Sequence, residues 1–179
     1  MPEIWPSGLV VACQAAMAII FAVAAGSKVW KPSAFRQFCN SLSRTLPIRG
    51  RLTSALAATV LLTEAVVALS VTVPALATGA FVLAGVLLVS FTGSTLYTLR
   101  QGSREPCFCF GMSAKPAGRL EVLRNLILLA ITTVGFAGAR DSGSLTYPSL
   151  GVTALMVSVG CVFALLVINA REIVDLVKP

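Results

Sequence analysis

Histidine is absent from the 179 residues. That removes imidazole metal ligands, His-ligated haem, Ser-His-Asp triads and Cys-His nucleophile pairs together. Charge is scarce as well. Asp, Glu, Lys and Arg make up 12% of the chain, about half the roughly 25% of a soluble domain. With 56% hydrophobic residues and a mean hydropathy of +0.88, the bilayer is the expected solvent. No internal repeat, low-complexity linker or separable soluble domain is visible. No cofactor signature is evident either; a quinone is compatible with such a protein but is shown by no residue. Chemistry is left to cysteine, carboxylate, Lys and Arg, or to a bound partner.

What is present is a series of long apolar runs. Residues 8–27 form an uncharged stretch of the length needed to cross about 30 Å of hydrocarbon. Only Glu3 is charged before it, so a basic signal-peptide n-region is missing and an uncleaved span is expected. Further spans are expected at about 52–73, 76–99, 120–138 and 150–170. The spacing Ala18, Ala22, Gly26 offers a small-residue stripe for helix contact. Between the first two spans, Phe35, Phe38, Leu42 and Leu46 recur at helical spacing among basic residues. This predicts an interfacial amphipathic helix over about 33–46. The expected fold is all-α: a multi-pass membrane bundle with a four-helix core and a fifth transmembrane helix, in one domain over 1–179.

The net charge of +7 could suggest nucleic acid. Its distribution argues against that. Thirteen of the fourteen basic residues fall in or beside alternate connectors, and only Arg140 falls on the other side. This is the positive-inside pattern. It predicts a cell-membrane protein with its N-terminus outside and its C-terminus in the cytoplasm. The 100–119 connector is then cytoplasmic too.

That connector holds Cys107-Phe108-Cys109-Phe110-Gly111. Two cysteines at i and i+2 can be bridged only in an extended or turned backbone, and the small ring is strained. A strained, accessible disulfide is exchange-competent. Arg100, Arg104 and Lys115 nearby would favour the thiolate. The same pair could instead hold a soft metal such as Cu(I), or do no chemistry. The other three cysteines do not form a disulfide framework with it. Cys13 and Cys161 lie in apolar runs, and Cys39 suits packing.

Glu64 stands near the middle of the second span, where a carboxylate costs about 2.5–3.5 kcal/mol on insertion scales. It is either neutral and hydrogen-bonded to hydroxyls, or a proton-handling group, or the counter-ion of Arg124 in the fourth span. Pairing with Arg124 is the expectation. Lys28 and Lys31, closing the first span, read as anchors to lipid headgroups.

Taken in order, these features resemble the MauE family of methylamine-utilisation membrane proteins, within the wider DoxX-like group. They are a Lys ending span one, a Pro-Phe amphipathic stretch, an intramembrane Glu, Cys-Phe-Cys-Phe-Gly, then Arg124-Asn125. The resemblance runs over roughly residues 8–129. It implies a redox-associated membrane protein that works beside a thioredoxin-like partner. It also implies a part in maturing a disulfide-containing enzyme such as the methylamine dehydrogenase small subunit. The site residues it implies are Cys107, Cys109, Glu64, Arg124 and Lys28. A component of a thiol–disulfide oxidoreductase fits this description. A non-catalytic anchor or assembly factor, and a small transporter using Glu64, are the readings from other classes.

Overall fold

In hydrocarbon every backbone N–H and C=O must find its partner within the protein, so uncharged runs of this length become helices. The computed structural model describes residues 4–45, 50–101, 118–141 and 149–177. They form α1 (Ile4–Val29), α2 (Pro32–Thr45), α3 (Arg51–Ser70), α4 (Pro74–Arg100), α5 (Arg119–Asp141) and α6 (Leu150–Val177). All but α2 are long and apolar enough to cross a membrane. The protein is therefore a multi-pass helical membrane protein, with five candidate spans among the described residues.

Local chemistry sets several boundaries. Pro74 opens α4 at a position where its missing N–H costs nothing. The turn from α3 is short, so these two spans form a helical hairpin. Gly50 precedes α3 at φ 71°, a left-handed backbone that favours glycine. α6 runs on through Arg171–Val177, past the expected end of the last span near residue 170, so it closes in a helical extension that carries Arg171, Glu172 and Asp175.

α1 is the centre of the bundle and packs against α2, α3, α5 and α6. Its contacts fix the register of its neighbours. Gly8 lies against Met156, and Gly160 against Ala12 and Ala15, so α1 and α6 run parallel. Met17 meets Thr132, while Ala24 shares a cavity wall with Arg124, so α5 runs antiparallel to α1. Phe81 against Gly135 and Gly85 against Thr132 set α4 antiparallel to α5. The buried core threads through this interior: Met17, Ile20, Phe21, Val67, Phe81, Leu88 and Leu128 are among its members.

The small-residue contact of α1 is displaced from its expected place. Ala22 and Gly26 are exposed, and nothing would meet a Cβ at Gly26. The close approach is made by Ala12, Ala15 and Ala16 instead. A Cβ added at Gly160 would sit 2.5 Å from the Ala12 carbonyl oxygen. One face of α1 had to be chosen for α6, and the register of both helices chose it. The outward faces carry Leu62, Leu69, Val86, Leu155 and Leu165, all exposed, as expected where lipid replaces water.

α2 is the amphipathic stretch foreseen between the first two spans. It packs on α1 and α3 through Ala34 and Phe38, both buried. Phe35 and Leu42 are half-buried, and Leu46 lies outside the described residues.

Candidate functional site

Lys28 occupies the last turn of α1. Helical side chains lean toward the N-terminus of their own helix, so its ammonium reaches back along α1 into the bundle. There Nζ donates to the Ala24 carbonyl at 3.2 Å. It also donates to both Glu64 oxygens, at 2.7 Å to Oε1 and 2.9 Å to Oε2. The ring of Phe38 on α2 covers the ammonium, with its centroid 5.0 Å from Nζ. Lys28 is 2% exposed and Glu64 0%. Three helices thus meet at one desolvated ion pair.

Two expectations are overturned here. Lys28 is not a headgroup anchor, because its charge is buried. The partner of Glu64 is Lys28, not Arg124. The reason is reach: the backward lean of Lys28 spends its length toward the bundle interior, while Glu64 stands on the inward face of α3 with Thr53, Ala57 and Val67. Burying two charges is expensive, and the geometry meets the condition under which it is tolerated, a close pair with further hydrogen-bond and ring contacts.

Arg124 approaches the same turn of α1 from α5. It lines a small cavity with Ala24, Ile20, Leu128 and Val167, with room for about one water. Its neighbour Asn125 is 2% exposed, and Asn125 Oδ1 has no hydrogen-bond partner among the described residues. Asn125, Leu128, Thr132 and Gly135 form the inward stripe of α5.

Cys107 and Cys109 lie outside the described residues, as do Arg104 and Lys115. The two ends of their segment are described. Gln101 closes α4, its N–H bonding back to Tyr97. At the other end the Gly118 N–H donates to Glu121 Oε2 at 2.7 Å, one half of a capping box at the start of α5. Glu121 Oε1 accepts from Arg171 Nη1 at 2.6 Å. The α6 extension therefore holds the entry to α5.

The remaining thiols are dispersed. Cys13 is buried, and Cys161 is half-buried on α6. Cys39 on α2 is half-buried; burial pushes its thiol up, against the opposing pull of a hydrogen bond with Ser54. Among the described residues no cluster of Cys, Asp and Glu could hold a metal ion.

Phe38 and Gln14 were not singled out from sequence as site residues. Phe38 carried a signal, its place on the amphipathic stripe. Gln14 carried a weaker one: it is a lone amide in a run otherwise free of large polar groups.

The architecture defines a multi-pass membrane protein with a buried charge pair near one end of its central helix. The family described as Methylamine utilisation protein MauE matches residues 6–138. The chain belongs to that family. No curated protein and no solved structure matches it. The matched stretch contains Lys28, Glu64, Cys107, Cys109 and Arg124, and ends before α6.

Proposed function

We propose that this protein exchanges thiol–disulfide equivalents with a thioredoxin-like partner at the membrane surface, through Cys107 and Cys109. A thiolate of the pair attacks a partner disulfide and forms a mixed disulfide. The second thiol then resolves it, leaving Cys107–Cys109 oxidised and the partner as a dithiol. Two electrons and two protons change hands, and the step is reversible. The observation that carries this reading is the tethering of the dithiol segment. Its described ends are Gln101, capped on α4, and Gly118, capped by Glu121 on α5, and between them the sequence places the Cys107-Phe108-Cys109 pair in a polar connector.

In this reading the Lys28–Glu64 pair holds α1, α2 and α3 together and is not a reacting group. Both carboxylate oxygens are engaged and the residue is closed from outside. That speaks against a transporter that loads protons on Glu64. The basic asymmetry favours a cytoplasmic dithiol with the N-terminus outside. The family's name speaks of methylamine utilisation, and a part in maturing a disulfide-containing enzyme belongs to the same proposal. A non-catalytic anchor for a partner oxidoreductase is the competing reading, supported by the closed charge pair.

The test is alkylation trapping of the in-cell redox state of Cys107 and Cys109, with complementation by the Cys107→Ser, Cys109→Ser variant. A mixed population of dithiol and disulfide, and loss of complementation, are expected. Full complementation by the double variant would leave only the anchor.

A further inference from the structure

We propose that the cleft between α1 and α6 binds the ring of a membrane-dissolved quinone, hydrogen-bonded by the carboxamide of Gln14. This rests on neither the thiol exchange nor the family match: three of the nine residues lining the cleft come from α6, beyond residue 138.

The cleft holds about 300 Å³ and is lined by Val11, Gln14, Ala18, Thr72, Thr153 and Cys161 among others. That is the lower end of ligand-site volumes, room for one ring, with mostly apolar walls and few polar groups. The polar group that calls for a ligand is Gln14. It is 4% exposed, and its Nε2 has no hydrogen-bond partner among the described residues. A buried amide left unpaired is costly, and water is scarce at this depth. Lipid esters lie at the edge of the hydrocarbon. Gln14 stands six residues past Gly8, the expected start of the first span, about 9 Å deeper along the helix. A ligand must therefore bring its oxygen into the hydrocarbon, as a quinone ring does. A half-turn of the carboxamide offers N–H to a quinone carbonyl or C=O to a quinol hydroxyl. The Thr72 hydroxyl, whose proton goes to the Leu69 carbonyl, keeps an acceptor free on the same wall. Exposed Thr72 and Val157 leave the cleft open at the bundle surface, so a ligand can enter sideways from the bilayer.

The full-length protein in phosphatidylcholine nanodiscs is incubated with decylubiquinone, whose ring carries no hydrogen and so cannot add to a thiol. Labelling of Cys161 by a lipid-permeable maleimide is followed by peptide mass spectrometry. Decylubiquinone is expected to slow labelling severalfold, and decylbenzene, which lacks the carbonyls, is expected not to. Gln14→Leu is expected to weaken the protection about tenfold in quinone concentration, the fold-change of one buried hydrogen bond. Equal protection by both compounds would mean that the cleft takes acyl chains only, and would overturn the proposal. An azido-decylubiquinone probe on the unaltered chain decides the matter even where Gln14→Leu fails to insert. Crosslinks confined to peptides covering 11–19 and 153–161 support the site, and crosslinks spread over all outward faces overturn it.

Discussion

Lys28 closes on Glu64 across 36 residues of sequence, with its ammonium 2.7 Å and 2.9 Å from the two carboxylate oxygens and neither residue more than 2% exposed. The pair ties the end of the central helix to α3, and Phe38 of α2 seals it. Replacing Lys28 by Met strands a buried carboxylate and is expected to cost about 3–5 kcal/mol. Lys28→Met with Glu64→Leu should recover most of the loss, because an apolar pair of similar volume is often neutral. Glu64→Gln and Arg124→Met should add within about 0.5 kcal/mol, since the Glu64 carboxylate is held by Lys28. Thermal unfolding in detergent measures all of these. A loss that the double variant does not recover would remove the pair from the account of stability.

The contact of α6 with α1 rests on Gly160. A methyl there meets the Ala12 carbonyl oxygen, which is backbone and cannot swing aside. Gly160→Ala is expected to destabilise by about 1–3 kcal/mol, the usual cost of overpacking. Gly151→Ala, where a Cβ meets nothing, should be silent. Comparing the two melting temperatures checks the register directly.

Cys39 gives a pH signature. Burial raises its thiol, and the Ser54 hydrogen bond lowers it. Alkylation follows the thiolate, so its rate at neutral pH should fall below that of a free thiol and rise about tenfold per pH unit until the raised pKa is reached. Ser54→Ala removes the lowering contact, and the curve should move to higher pH. Rates for a variant keeping Cys39 alone test this, and a shift to lower pH would contradict it.

Orientation is open to a simple experiment. A membrane-impermeant maleimide should label Cys107 in inverted vesicles and not in intact cells, because thirteen of fourteen basic residues favour that side. Labelling from outside would reverse the topology and bring the protein to exported-disulfide chemistry.

Much of the architecture was legible in the sequence, because a bilayer leaves a chain few options. Uncharged runs must become helices, Pro74 must begin one rather than interrupt it, and the Phe38 stripe must lie against something apolar. The family, too, could be read from the order of a few residues, from Lys28 through Glu64 and Cys107 to Arg124-Asn125. What the sequence left open was pairing in space. From sequence Glu64 was expected to pair with Arg124, and Lys28 was read as a headgroup anchor. Linear position favoured Arg124, which also lies within a span, while the backward lean of a helical side chain favoured Lys28, and only the packed bundle shows that lean turned toward α3. The small-residue stripe failed for a similar reason. Ala18-Ala22-Gly26 and Gly8-Ala12-Ala16 carry the same spacing, and the register of α6, with Gly160 opposite Ala12, selected the second. Local pattern determined which segments are helices and how many cross the membrane. Tertiary structure decided which faces meet, because a helix offers several equivalent stripes and only close packing against a particular neighbour distinguishes them.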